Sequence, residues 1–337
     1  MKLQKFDLYI IPLPIICIAA AVLRGFALLT SFNIETMHFE HKTAFTISAI
    51  LVAVSVFGFL GYLIFGEGNR PLISRSDNPA SYIPAGIVCI ALLFMAANNL
   101  SVLRGGFPRG IVSGLSLITG IFALLSVLSF FLSVFIERRG SLFKAAFSLS
   151  IVLFLALYAA LLYFNKQIHP TNSPNRFIDE MAYLGAALFY LYESRIPLGR
   201  AKWRGYVAFG LCATLLCVYS SVPALILYFV KGYVISESLI ESILTLTLAQ
   251  AIFMKLLQLK KLIPDEECEA AQTITRLASI REEEIRELHE SSYARKTNNM
   301  EENVQDAANY TIEIPETKED VEAEEAPFAE TEENDSN

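Results

Sequence analysis

The sequence predicts an all-α fold: a polytopic transmembrane helical bundle of eight spans, with both termini on the cytoplasmic side. Three observations predict it. Mean hydropathy is +0.45, and 54% of residues are hydrophobic while 18% are charged. An ordinary soluble domain carries about 45–50% apolar and about 25% charged residues, so a soluble enzyme is excluded at the outset. The apolar residues also gather into runs long enough to cross a bilayer, and lysine and arginine divide unevenly between the loops on its two sides.

A helix needs about 20 mostly apolar residues to cross about 30 Å of hydrocarbon at 1.5 Å per residue. Seven runs meet this condition: 8–29, 44–65, 83–103, 111–136, 142–164, 205–230 and 234–257. An eighth, 177–198, has only a short apolar centre and is flanked by Asp179, Glu180, Glu193 and Arg195. Hydropathy alone equally allows an interfacial helix there.

Positive charge decides the count, because Lys and Arg in short loops are retained on the cytoplasmic side. With eight spans and an inner N-terminus, 14 basic residues fall inside and 6 outside. Omitting the weak span reverses the bias. Trp203 and Tyr206 fit an aromatic anchor at the inner start of the seventh span. Lys2 and Lys5 before an apolar run resemble the start of a signal peptide, but the run continues to Leu29 and further spans follow, which favours an uncleaved first helix. The expected location is a bacterial cytoplasmic membrane.

The net charge of −7 divides into +10 over residues 1–264 and −17 over 265–337. The organisation read from this is an eight-helix transmembrane domain (1–264), a cytoplasmic amphipathic helix (265–296) and a disordered acidic tail (297–337). Ile274, Ala278, Arg281, Ile285 and Leu288 form a short coiled-coil-like stripe, interrupted by Arg281. In 297–337, 14 of 41 residues are acidic and Lys318 is the only base, a composition that favours disorder. Such a tail suits a basic protein partner or none. No nucleic-acid partner is expected.

No catalytic signature is present. Asp179 and Glu180 lack the arginine and later-helix histidine that an intramembrane protease needs, and no phosphate-binding GxxxxGK[ST] motif occurs. Cys17, Cys89, Cys212 and Cys217 lie in spans without a CxxC pair and read as small core residues. His38, His41 and His169 read as loop residues, so neither a metal nor a cofactor is expected.

Charged groups inside spans cost about 2.5–3.5 kcal/mol at the bilayer centre, so each is a functional candidate. Arg24, Asn98, Asn99, Arg104, Asp179, Glu180, Glu237 and Glu241 all fall near the outer ends of their helices. Two readings stand. In one, Arg24 and Arg104 snorkel to the interface, the glycines after them end their helices, and the acids oppose helix dipoles. In the other, Arg24 and Arg104 meet Glu237 and Glu241 in a polar layer that faces outward. Pro223, preceded by Ser220 and Ser221, leaves a backbone carbonyl without its helical donor in mid-membrane.

A shared offset of 124 residues relates the second and third spans to the sixth and seventh, pairing Gly61 with Gly185 and Gly86 with Gly210. This predicts a 4+4 parallel internal repeat, an arrangement common in transporters. The functional expectation is small-solute or ion binding and transport through the bundle and its polar layer, in contact with the lipid bilayer. The alternative is a membrane sensor or assembly scaffold that presents the acidic tail.

Overall fold

The computed structural model describes residues 5–33, 36, 38–66, 82–105, 110–135, 142–164, 173–198, 202–234, 238–258, 276–277 and 279–291. The chain divides into two units, Met1–Arg281 and Glu282–Asn337. In the first, the helices are α1 (Lys5–Ile10), α2 (Pro12–Ser31), α3 (Thr43–Leu60), α4 (Tyr62–Phe65), α5 (Tyr82–Leu100), α6 (Ile111–Phe135), α7 (Leu142–Phe164), α8 (Pro174–Ser194), α9 (Trp203–Lys231) and α10 (Leu239–Gln258). A two-residue hairpin, β1 (Phe32–Asn33) with β2 (His38–Phe39), joins α2 to α3.

Among the described residues, seven helical stretches are long and apolar enough to cross a membrane: Phe6–Ser31, Thr43–Phe65, Ile83–Arg104, Ile111–Phe131, Ala146–Phe164, Trp203–Lys231 and Leu239–Gln258. They coincide with the seven strong runs of the sequence. Pro12 falls in the first turn of α2, where its missing N–H removes no helical bond.

The remaining helix, α8, is built inside out. Its exposed side chains are Phe177, Met181, Leu184 and Leu188, and spacings of four, three and four place them on one stripe. Its polar residues Asn175, Asp179 and Ser194 are buried. An interfacial helix would expose a polar face to water instead.

Cross-helix contacts give the directions. α8 runs antiparallel to α9, with Asp179 against Ser220, Ala182 against Cys217 and Phe189 against Tyr206. It is also antiparallel to α7, where Tyr183 meets Tyr158 and Arg176 meets Tyr163. Against α10 it is parallel, through Tyr183 with Thr245 and Glu193 with Lys255. α1 and α2 run parallel to α9 (Phe6 with Trp203, Arg24 with Tyr219), and α3 and α4 run antiparallel to it (Ser48 with Tyr219, Tyr62 with Trp203). Packed by α2, α3, α8 and α10, α9 is the central helix, and it is buried on most sides. Small residues permit this: a Cβ on Gly210 would lie 2.9 Å from Leu256 Cδ2 and 3.1 Å from Phe189.

The expected 4+4 repeat is not the packing observed. α8 lies along α9, whereas its counterparts α3 and α5 make no comparable contact among the described residues. Gly210 is tightly enclosed, but nothing lies within 4 Å of a Cβ built on Gly86. Shared apolar letters at one offset reflect a common lipid environment rather than equivalent positions.

Residues 276–277 and 279–291 are helical, within the stretch expected to form the cytoplasmic helix. Leu277, Ile280, Ile285 and Leu288 are exposed there. Cys268 and the acidic stretch 297–337 lie outside them.

Candidate functional site

Arg24 neither snorkels nor precedes a helix end. It is 1% exposed, and α2 continues through Gly25 to Ser31. Gly25 faces α9, where a Cβ would make an ordinary contact with Ile226 Cδ1 at 3.5 Å. The guanidinium lies between α8 and α9. Its Nη1 donates to the carbonyl of Tyr219 and, at 3.3 Å, to that of Ser220. Its Nη2 donates to Asn175 Oδ1 at 2.9 Å, and its Cζ lies 5.0 Å from the centroid of the Tyr219 ring.

Pro223 explains why the Tyr219 carbonyl is available. In a helix the carbonyl of residue 219 accepts from the N–H of residue 223, and proline has none. An unsatisfied carbonyl in the membrane interior costs several kcal/mol. Arg24 supplies the donor from another helix, so the α9 irregularity and the buried charge satisfy one another.

Asp179, 4% exposed, is the acid that acts electrostatically on Arg24. The two form no direct ion pair. Ser220 stands between them, its Oγ donating to Oδ1, one of the two Asp179 carboxylate oxygens, while its carbonyl accepts from Arg24. Asn175 and Asp179 are four residues apart and share one face of α8. Ser48 Oγ lies 2.9 Å from Tyr219 OH, which ties α3 to the same layer.

A second part of the layer joins α8 to α10. Thr245 Oγ1 donates to Tyr183 OH at 3.2 Å and lies 2.8 Å from the Glu241 carbonyl. Glu241 is 2% exposed, and Tyr183 is within electrostatic reach of both Glu241 and Asp179. Two donors in the layer have no acceptor among the described residues: Arg24 Nε and Asn175 Nδ2, both buried.

The layer expected from the sequence is therefore partly assembled. Arg24, Asp179 and Glu241 are buried in its neighbourhood, but the acid facing Arg24 is Asp179. Glu180 pairs instead with Arg176 at 2.8 Å, one turn away on α8. Asn99 is buried between α5 and α6, where it accepts from Ser116 Oγ at 3.0 Å. Asn98 and Arg104 are exposed, with Arg104 in a 3-10 turn, Ser101–Gly105, at the end of α5. Asn98 faces outward on the turn that buries Asn99. Glu237 lies outside the described residues.

Sequence reading missed Asn175, Tyr183 and Tyr219. The available signal was the proline four residues after Tyr219, together with the low hydropathy of α8, whose polar residues proved to be interior.

The opposite end of the bundle is closed by aromatic packing. Lys255 pairs with Glu193, with its Nζ 5.3 Å from the Tyr190 ring centroid and 6.0 Å from that of Phe130. Trp203 Nε1 donates to Tyr62 OH at 3.2 Å. Cys17, Cys89, Cys212 and Cys217 are free thiols. Cys212 and Cys217 contact carbonyls of α3 and α8 respectively, as helix-packing residues. His38 and His41 are exposed near the hairpin, and no three metal-ligating side chains converge among the described residues. No protein-family model, curated protein or solved structure matches the chain.

Proposed function

We propose that the protein binds a small solute or ion inside the membrane and carries it across, and that the site is the buried layer around Arg24, Asn175, Asp179 and Ser220. The observation that carries this reading is a fully buried arginine, shared by three helices, with an open donor beside a second open donor. A charge held in lipid costs several kcal/mol, and a bundle that needed only to stand in the bilayer would be more stable with apolar residues there.

The proposal includes eight crossings with both termini on the cytoplasmic side. The apolar outer stripe of α8 supports its passage through lipid. The helix directions support it as well: α7 and α9 both run antiparallel to α8, so they run the same way and a return crossing must lie between them. The excess of basic residues on one side supports the orientation. In this orientation the layer lies in the outer half of the bundle, since Arg24 is seven residues, about 10 Å, from the end of α2.

A sensor or assembly scaffold is the second reading, favoured by the near-complete burial of Arg24. The two differ in whether water ever reaches the layer. With Ser220→Cys as the sole thiol, a membrane-impermeant methanethiosulfonate reagent labels the folded protein if the layer binds a solute. Absence of labelling in a folded, membrane-inserted protein supports the scaffold and removes the transport reading.

A further inference from the structure

We infer that the solute is a zwitterion of the α-amino-acid type, its carboxylate held at Arg24 Nε and Asn175 Nδ2 and its ammonium at Asp179; this rests on the solute-binding reading above. Three features point to this class. The first is the open donors. Nη2 donates to Asn175 Oδ1, so the two open donors belong to side chains already bonded to one another. Two buried donors without acceptors call for an oxygen acceptor, and a carboxylate presents two oxygens to such a pair.

The second is charge. Asp179 already offsets Arg24, and Glu241 adds another buried acid, so a net anion would bring an uncompensated charge into a low-dielectric interior. A net-neutral solute avoids this. The third is the separation of the charges. Arg24 and Asp179 are held apart by Ser220 and Asn175 rather than joined as an ion pair. Asn175 and Asp179 are one helical turn apart, with about 5–6 Å between their β-carbons. A solute with opposite charges on either side of one carbon reaches across that turn, each charge meeting its complement. A polyol site would need neither charge.

The test uses the full chain in vesicles of phosphatidylethanolamine and phosphatidylglycerol. Probes are the twenty standard amino acids in pools, the monocarboxylates acetate and propionate, and the polyols glycerol and sorbitol, each read by thermal shift and by radiolabel retention. At least one amino-acid pool should bind, with its affinity for the responsible member reduced about tenfold or more in Asn175→Asp. That variant keeps an acceptor for Arg24 Nη2 and removes the open Nδ2 donor, and an unchanged melting temperature without probe shows that it folds. Binding of monocarboxylates or polyols alone, or amino-acid binding unaffected by Asn175→Asp, would overturn the zwitterion assignment and leave solute binding standing. If no probe binds the folded protein, the zwitterion assignment is overturned, and the solute-binding reading stands or falls on the Ser220→Cys labelling above.

Discussion

Arg24, on the first membrane helix, donates a hydrogen bond to the carbonyl of Tyr219, the position on α9 that Pro223 deprives of its helical donor. The two irregularities lie 199 positions apart in sequence yet form one unit. Removing either member alone should therefore cost more than its share. Arg24→Met leaves the Tyr219 carbonyl and Asp179 uncompensated, and should destabilise the protein by about 3–5 kcal/mol. Pro223→Ala restores an N–H for Tyr219, so Arg24→Met should cost about 1 kcal/mol less in that background. Reversible unfolding of the four proteins in bicelles measures the coupling. Strict additivity would show that the proline and the arginine are unrelated.

Much of the fold was legible because lipid imposes a simple rule on composition. Seven helices could be read from apolar length alone, and the thiols Cys212 and Cys217 were correctly placed in the core. α8 was ambiguous for a physical reason: hydropathy averages over a helix, and a helix whose polar side chains face inward has the same average as one lying on the surface. Arg24 was recognised as unusual, but its partner was misassigned. Acids near helix ends look alike in sequence, and only the register between α2, α8 and α9 selects Asp179 over Glu241. The false repeat had a related origin, since Gly86 and Gly210 occupy similar strings but face open space and Leu256 respectively.

That last difference is measurable. Gly210→Ala should destabilise by about 1–3 kcal/mol, because the added methyl meets Leu256 and Phe189 on two neighbouring helices. Gly86→Ala should be neutral or stabilising by up to about 1 kcal/mol, as an exposed helical glycine gains from a side chain. Equal costs at the two positions would restore the repeat.

Asp179→Asn should destabilise by about 3 kcal/mol, since it leaves Arg24 buried without its acid. The loss should shrink when Arg24→Met is added, with a coupling of about 1–3 kcal/mol. A large effect of Asp179→Asn that persists unchanged without Arg24 would mean that Asp179 serves Ser220 or Tyr183 instead.

At the opposite end, Glu193 and Lys255 keep about a quarter of their side-chain surface exposed. Solvent screening limits such a pair, and Lys255→Met should cost no more than about 1 kcal/mol, falling further at 1 M salt. A loss as large as that of Arg24→Met would contradict the ranking of the two sites.

The most direct measurement is two-sided thiol access to the polar layer. Ser220→Cys, as the only cysteine in oriented proteoliposomes, is exposed to an impermeant methanethiosulfonate reagent from the outer face and, in parallel vesicles, from the inner face. A carrier whose site opens alternately predicts labelling from both faces, with the solute slowing each. Labelling from neither face, in protein shown to be folded and inserted, would contradict the account and leave a closed structural bundle.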